Sequence, residues 1–438
     1  MLKGLETRSN KLNKNILGSG IYKAINVFFS LLIVRFSIQS IGEEQYGIWL
    51  TLLAFFTWFS AFEVGISNSL RNAVTLFFAK NKLNQVKDTV QKGYKALLVT
   101  YFTLISGLLL LSLFTDFTSF LVPQKGAVES FNTLFQITVV VYFIHFILFF
   151  LHNLLLATHN AKATYFITAI QNGVLLLGLI FCSISSYTPS LFLFCLWFST
   201  LPLMVWAVAS VYYYSNDFKK FRPSFLQVLD KKTKAFSGLK RDFFLIQICT
   251  LVLFSTDNII IMNFIGSYEV TAYNVTFKYF NLLIILFNLV LLPYWASFTD
   301  AYGKGDKQWI VVNIKKLMLF WLGTAVVGLV MLVFASDVLK IWIGKALEVD
   351  FLLLLFMFAS VLLIAWNSIF AYFLNSVSQT KVQTRLLIIA AIVNVPLSIY
   401  LLHGFQVSGI ILATCILLLP QAILLPIECN SVLKKMEV

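Results

Sequence analysis

Long apolar segments follow one another along almost the whole chain, separated by short polar stretches. A membrane-spanning helix needs about 20 mainly apolar residues, because the hydrocarbon core of a bilayer is about 30 Å thick. The first apolar segment is too long for a signal-peptide core, so we expect it to remain as a membrane anchor. The pattern predicts an all-α integral membrane protein with twelve transmembrane spans, at residues 17–40, 46–78, 94–115, 132–157, 163–184, 190–214, 243–265, 270–298, 312–335, 351–377, 383–402 and 407–427.

Composition agrees with this prediction. Hydrophobic residues make up 59% of the chain and charged residues only 12%, whereas about a quarter of the residues of a soluble domain are charged. The formal net charge is +14, but the cations lie in loops between apolar runs, so we expect no nucleic-acid partner. The five cysteines have no CxxC spacing, which indicates neither a disulfide framework nor a metal site.

The most basic segment, residues 215–242, interrupts the apolar series near mid-chain and contains eight Lys or Arg residues. Short cytoplasmic loops of membrane proteins are enriched in Lys and Arg. A cytoplasmic position for this segment puts 25 Lys and Arg in cytoplasmic segments and only three outside. We therefore predict that both termini are cytoplasmic, and that the chain divides into an N-terminal lobe (1–214), a basic loop (215–242) and a C-terminal lobe (243–438).

The two predicted lobes share a weak internal repeat. The segment from Gly42 to Tyr46 (GEEQY) precedes the second span, and the segment from Gly266 to Tyr273 (GSYEVTAY) precedes the eighth. Repeats of six spans keep the same orientation and are related by an axis along the membrane normal. This predicts two six-helix lobes around a central cleft. The second span is too long for one crossing, so it either bends at Gly65 or extends into the cytoplasm.

Several charged residues lie within or at the edges of these spans. A charge near the centre of a membrane helix costs roughly 2.5 to 3.5 kcal/mol, so most of these side chains should face water, one another or an anionic ligand. For those nearest the cytoplasm, the alternative is that the side chain extends to the interface; this applies to Lys23, Arg71 and Lys95. Arg35 and Lys278 fit that alternative less well, and Asp257 is the best candidate for a counter-ion. The set comprises Lys23, Arg35, Glu63, Arg71, Lys95, Asp257 and Lys278.

Two spans carry polar stripes. On the eighth span the stripe consists of Asn274, Lys278, Asn281 and Asn288, which helical spacing places on one face. It either lines a cavity or forms a hydrogen-bonded seam between helices. On the fourth span, His145, His152 and His159 recur every seven residues and share a face. His145 and His152 either contact substrate and titrate during transport or serve only in packing.

The pattern Gly42-x-x-x-Tyr46-Gly47-x-Trp49, followed by Glu63-Val64-Gly65-Ile66 and Arg71, resembles the N-terminal signature of the Wzx-type polysaccharide flippases. These belong to the multidrug/oligosaccharidyl-lipid/polysaccharide (MOP) exporter superfamily, whose span number, mid-chain loop and repeat layout the whole chain shares. Glu63 stands where that family more commonly has Asp.

This resemblance implies that the chain moves an undecaprenyl-diphosphate-linked oligosaccharide, an O-antigen or capsule repeat unit, from the inner to the outer leaflet of the bacterial cytoplasmic membrane by alternating access. The implied partners are that lipid-linked substrate and membrane lipids, with the polysaccharide polymerase machinery as a further candidate. We expect the residues that bind the substrate or line its cavity to be Arg35, Glu63, Arg71, Asp257, Lys278, Asn274, Asn281, His145, His152 and Lys23.

Other functions fit the sequence less well. The chain has no GxxxxGK[ST] loop, no HExxH and no nucleophile constellation, so we expect neither an enzyme nor a cofactor. Transport would then be driven either by gradients, with H⁺ and Na⁺ both open as the coupling ion, or by downstream consumption of the transported molecule. A multidrug or cation antiporter of the same superfamily is the alternative, but Arg35, Arg71 and Lys278 favour an anionic substrate. A membrane polymerase or ligase would need a large outer loop, and the longest one predicted has only roughly 15 residues.

Overall fold

The computed structural model describes residues 2–115, 121, 131–158, 160–185, 187–223, 241–344 and 347–437. This part of the chain is almost entirely helical, with two short 3₁₀ segments at Lys219–Phe221 and Lys435–Glu437. The α-helices of the described residues are α1 (Leu2–Ala79), α2 (Leu83–Phe114), α3 (Phe131–Ala157), α4 (Ala161–Ile184), α5 (Leu191–Ser215), α6 (Arg241–Phe264), α7 (Ser267–Leu291), α8 (Tyr294–Gly303), α9 (Lys307–Val333), α10 (Ala335–Ile343), α11 (Phe351–Ser376), α12 (Lys381–Phe405) and α13 (Val407–Lys434).

Eleven helices of the described chain are long and apolar enough to cross a membrane. The first of them, Gly20–Ser60, has 41 residues, which at about 1.5 Å per residue is roughly twice the thickness of the hydrocarbon core. The backbone of α1 leaves the helical conformation at Gly42, with φ 81° and ψ 167°. Because this kink divides α1 into two crossings, the helices accommodate the twelve predicted spans.

Glycine is required at the kink of α1. Gly42 has a backbone conformation that is essentially restricted to glycine, since a Cβ atom would clash with the main chain there. Gly266, between α6 and α7, has φ 155° and ψ 175° and occupies the same region. These are the glycines that open the two repeated sequence segments. Each joins the first crossing of its half of the chain to the second.

The chain forms two compact units, Met1–Leu239 and Lys240–Val438. In the first unit α1 packs against α2, α3 and α4, and α3 packs against α5. Aromatic rings fill much of this interior: Phe56 stacks on Tyr142 with ring centroids 4.7 Å apart, and Trp49 lies edge-on to Phe194 and Phe198. Burying large rings is a major source of packing energy, so these contacts fix how the helices of the first unit meet.

In the second unit α13 packs against α11 and α12, and α12 also packs against α6. The interface of α6 and α12 is apolar over its first half, where Cys249 and Leu253 meet Leu387 and Ala390. One further turn along both helices the residues become polar. The apolar contacts therefore set the register at which the polar side chains meet.

Three predicted boundaries differ from the structure. The eighth span was expected to reach residue 298, but α7 ends at Leu291 because Pro293 lacks an amide hydrogen and cannot continue the helix. Helix α2 begins at Leu83, 11 residues before the predicted third span, because its polar first turns bury Val86 and Val90. Helix α10 lies in a segment expected to be an outer loop.

The proposed bend at Gly65 is also absent from the backbone, which is helical at that residue. The length of the second crossing is therefore better explained by the alternative, in which the helix extends beyond the bilayer. Much of the basic loop, residues 224–240, lies outside the described residues, as does His159.

Candidate functional site

A buried carboxylate lies in the interior of the first unit. Glu63 of α1 is only 3% exposed. Its Oε1 atom accepts hydrogen bonds from Ser67 Oγ at 2.6 Å and from Asn153 Nδ2 of α3 at 3.0 Å. Ser67 follows Glu63 by four residues, which on a helix puts the hydroxyl beside the carboxylate. Glu63 thus connects α1 to α3 through polar donors.

A ladder of rings extends along α3 next to this carboxylate. His145 lies 5.6 Å from Phe149, and Phe149 stacks on His152 with ring centroids 4.5 Å apart. His152 in turn lies 5.9 Å from the ring of Trp206 on α5. The Nδ1 atoms of both histidines are buried and have no hydrogen-bond partner among the described residues. The predicted shared face of His145 and His152 therefore exists, and it packs against aromatic rings.

The Trp206 end of this ladder is held by α4. Trp206 is fully buried and donates from Nε1 to Gln171 Oε1 at 3.0 Å. Asn172, the next residue, donates to Asn26 Oδ1 of α1 at 3.1 Å, and Asn26 donates to the Tyr165 carbonyl. Polar side chains therefore link α1, α4 and α5 on this side of the first unit.

The predicted cations of the first unit lie nearer its surface than Glu63 does. Lys23 is half-buried and lies about one helical turn before Asn26, and Arg35, nine residues after Asn26, is also half-buried. Arg71 is exposed. Glu63 itself accepts hydrogen bonds from two neutral side chains, those of Ser67 and Asn153. The structure brings Glu63 and His152 into one interior region, since Asn153, the neighbour of His152, donates to Glu63.

A second buried carboxylate occupies the interior of the second unit. Asp257 of α6 is completely buried, and its Oδ2 atom accepts a short hydrogen bond from the hydroxyl of Tyr273 on α7. Its Oδ1 atom has no hydrogen-bond partner among the described residues. An unsatisfied buried carboxylate oxygen is costly. The free lone pairs of Oδ1 therefore favour the binding of a proton or a metal cation.

Two neutral oxygens are buried on the helix packed against this part of α6. Asn394 of α12 donates from Nδ2 to the Val252 carbonyl at 3.4 Å, which places it at the interface with α6. Ser398 follows one turn later, and both residues are completely buried. Asn394 Oδ1 and Ser398 Oγ have no hydrogen-bond partner in the described chain. Asn394 and Ser398 thus add two buried oxygens without partners to the side of α12 that carries the contact with α6.

The predicted stripe on α7 has more than one role. Asn274 exchanges hydrogen bonds with Asn258 of α6, the shorter at 2.8 Å, and so forms part of a seam between helices. Lys278 and Asn281 are half-buried one and two turns further along α7. For Asn274 the structure thus favours the seam. The cavity alternative remains a prediction for Lys278 and Asn281.

Sequence reasoning did not find several members of these clusters. Asn153, Ser67 and Tyr273 are the hydrogen-bond partners of the two carboxylates, and Asn394 and Ser398 contribute the buried oxygens of α12. The last two are separated by four residues in an otherwise apolar span, a spacing that places them on one helix face. That spacing was a usable signal. The partners of Glu63 and Asp257 depend on contacts between helices and had no such signal.

Sequence comparison finds one matching family and several distant relatives. Residues 243–400 match the MatE family. The chain is 22% identical over 409 residues to a protein of Salmonella typhimurium named "Putative O-antigen transporter", with 91% of each chain covered. It is 20% identical over 371 residues to a "Putative O-antigen export protein" of Yersinia pseudotuberculosis, with 82% of each covered.

Solved structures extend this similarity to the fold of nearly the whole chain. The inward-facing conformation of a multidrug resistance MATE family transporter of the MOP superfamily matches with a TM-score of 0.69 at 13% identity, covering 94% of this chain and 95% of that one. The outward-facing conformation of such a transporter matches with a TM-score of 0.62 at 14% identity, covering 98% and 96%. At this identity the structures establish the MATE fold.

Proposed function

We propose, from the premise that this chain is a distant homologue of O-antigen transporters and has the MATE fold, that it is a flippase for a lipid-linked oligosaccharide. Its substrate is an undecaprenyl-diphosphate-linked repeat unit of O-antigen or capsule. Transport proceeds by alternating access from the inner to the outer leaflet of the bacterial cytoplasmic membrane. The observation that carries the proposal is the similarity to the Salmonella typhimurium protein over 91% of both chains.

The charges within the crossings support an anionic substrate. Arg35 and Arg71 of α1 and Lys278 of α7 place three cationic side chains in membrane helices, where a cation without a functional or structural partner is costly. The two buried carboxylates, Glu63 and Asp257, accept hydrogen bonds from neutral side chains. Cationic side chains at these positions suit the diphosphate of the substrate.

This arrangement disfavours a cationic drug as the substrate. In the multidrug alternative, carboxylates would have to bind the drug, yet Glu63 is only 3% exposed and Asp257 is completely buried. The solved MATE structures share the fold at 13–14% identity, a level that does not transfer their substrates. A flippase is therefore better supported than a multidrug transporter.

The membrane potential offers an energy source for this transport. Moving one charge across the potential is worth about 2.3 kcal/mol per 100 mV. Two negative charges leaving a cell that is negative inside therefore gain roughly 4 to 5 kcal/mol per 100 mV, provided that no protein charge moves in compensation. The substrate's diphosphate is the group that would carry this charge.

Complementation tests the proposed substrate. The chain should restore surface polysaccharide in a flippase-deficient strain, and Arg35→Gln, Arg71→Gln and Lys278→Gln should each reduce that polysaccharide, because each removes a charge that attracts the diphosphate. Lys304→Gln is the matched control, since Lys304 is an exposed residue paired with Asp300. Immunoblots of membrane fractions verify equal amounts of protein. Wild-type polysaccharide from all three neutral variants would refute the cationic mechanism.

His145 and His152 are proposed to lie along the substrate path, where their unpartnered Nδ1 atoms bind sugar hydroxyls. A double His145→Leu and His152→Leu variant replaces both imidazoles by apolar side chains that can still pack against Phe149, and so removes only the polar atoms. We expect reduced transport and an altered pH dependence in the same complementation assay. If both are unchanged in the variant, the two rings serve only to pack α3 against α5.

A further inference from the structure

Helix α10 presents three different surfaces around its axis. At about 100° per residue, Ala335, Leu339 and Ile343 fall in one sector, and all three are at most 2% exposed. This sector packs against α7 and α9. The side chains of the other two sectors are turned away from the second unit.

Those two sectors differ in polarity. Ser336, Asp337 and Lys340 form an exposed polar sector on one side of the buried stripe. Val338 and Ile341, on the other side, are exposed at 38% and 74%. A helix in water gains nothing from exposing Ile341 to this extent. A helix lying at a membrane surface does, because its apolar sector reaches the acyl chains while its polar sector remains among the headgroups.

The position of α10 along the chain agrees with a membrane surface. It directly follows the crossing α9, whose last turns expose Val330 at 54% and Val333 at 75%. Phe334, at 54% exposure, continues this apolar surface onto α10. The apolar sector of α10 is therefore continuous with the surface that α9 turns to the hydrocarbon of the bilayer.

The segment after α10 identifies which end of the second unit carries the helix. The Glu348 amide donates to the hydroxyl of Tyr268 in the first turn of α7, and Ser408 in the first turn of α13 donates to Asp350. Helix α10 thus lies at the end where α7, α11 and α13 begin. The opposite end carries most of the Lys and Arg of this unit, such as Lys307 and Lys381, and is therefore the cytoplasmic end.

We propose that α10 is an interfacial helix that binds the outer-leaflet lipid surface of the membrane. Val338 and Ile341 insert among the upper acyl chains, and Lys340 contacts lipid phosphates from the polar sector. The partner is the phospholipid headgroup layer, whose negative charge matches Lys340. This contact holds the outer end of α9 at the interface. The inference depends on the membrane fold and not on the identity of the transported substrate.

Spin labels on the two sectors test the orientation. The full-length protein is labelled at Val338→Cys, Ile341→Cys, Ser336→Cys or Asp337→Cys and reconstituted in vesicles that contain phosphatidylglycerol. The five native cysteines are buried, and the unmutated protein gives the labelling background. Collision with oxygen reports lipid exposure, and collision with a water-soluble nickel complex reports aqueous exposure. We expect the ratio of oxygen to nickel collision to be several-fold higher at 338 and 341 than at 336 and 337.

Equal ratios at Ile341→Cys and Ser336→Cys would overturn the proposal, whether both sites are aqueous or both lie in hydrocarbon. Charge reversal tests the role of Lys340 separately. Combined with the label at 341, Lys340→Glu should lower the oxygen-to-nickel ratio, whereas Lys340→Arg should retain it. An unchanged ratio in Lys340→Glu would show that Lys340 makes no contact with phosphates.

Discussion

At the scale of single residues, the two buried carboxylates differ in what satisfies them. Glu63 receives two hydrogen bonds on one oxygen, from its own helix and from α3. Asp257 receives one, and its second oxygen has no protein partner among the described residues. Glu63 thus links two helices, whereas Asp257 keeps one buried oxygen that can still accept a proton or a cation.

Asn153→Leu should destabilise the first unit. The substitution removes the α3 donor to Glu63, and an incompletely satisfied buried group costs about 1 to 3 kcal/mol. Thermal unfolding of the detergent-purified protein measures the effect, with Asn263→Leu as an exposed control. Adding Glu63→Leu should recover part of the loss, because both polar groups are then absent. If the double variant loses as much as the two single variants together, the residues do not interact.

We expect Asp257→Asn to abolish stabilisation of the protein by Na⁺, which with H⁺ is one of the two candidate coupling ions. A ligand at 100 times its Kd stabilises the folded state by about 2.7 kcal/mol, so Na⁺ should raise the unfolding temperature of the wild-type protein relative to choline. The neutral amide of the variant lacks the charge that binds Na⁺. Asp300→Asn, on the exposed residue paired with Lys304, should respond like the wild type. Equal Na⁺ stabilisation of the wild type and Asp257→Asn would exclude this site.

At the scale of elements, proline and glycine decide where the apolar segments are interrupted. Pro293 separates α7 from α8, and Gly42 divides α1 into two crossings. Pro202, Pro396, Pro420 and Pro426 nevertheless lie inside α5, α12 and α13. Neighbouring helices and side chains compensate for the lost hydrogen bonds inside a membrane protein. The presence of a proline alone therefore does not predict a helix end here.

Gly42→Ala should impair folding through the backbone alone. Apart from the adjacent backbone of α1, no atom lies within 4 Å of the position a Cβ would take at Gly42, so the surrounding residues leave space for the methyl group. The strain comes from φ 81°, and a residue in such a region costs about 1 to 3 kcal/mol. Gly20→Ala is the control, because Gly20 is equally uncrowded but has no positive φ. Monodisperse yield on size-exclusion chromatography should fall for Gly42→Ala only. Equal yields would mean that the kink tolerates a side chain.

At the scale of the whole molecule, the distribution of cations predicts the orientation of the chain. Ser215 is the last residue of α5, at the start of the basic loop. Ser336 lies on α10, directly after the crossing α9. Both residues are exposed. The positive-inside bias puts Ser215 in the cytoplasm and Ser336 outside.

An impermeant maleimide applied to intact cells should label Ser336→Cys and leave Ser215→Cys unlabelled until the membrane is permeabilised. Thr233→Cys, in the part of the loop outside the described residues, should behave like Ser215→Cys. The buried native cysteines keep the background low. Labelling of the loop variants in sealed cells would invert the predicted topology.

The sequence by itself determined the class, the number of crossings and the family resemblance. The comparisons confirm the resemblance and the MATE fold. These features follow from the length of the apolar segments and from motifs within single helices, which are local properties of the chain. Of the two alternatives for the long second span, the structure lacks the bend at Gly65, because a glycine inside a helical pattern does not reveal its own backbone angles. The kink at Gly42 is visible only in the structure.

The tertiary structure alone decided the partners of the polar residues. Asn153 reaches Glu63 across 90 positions of sequence, and Asn394 reaches α6 across 142. Helical periodicity gives the face on which a side chain lies, but not the helix that packs on that face. The exposed sector of α10 escaped prediction for the same reason. Nine residues are too few for a span, and only packing against α7 and α9 distinguishes the buried apolar residues of α10 from the exposed ones.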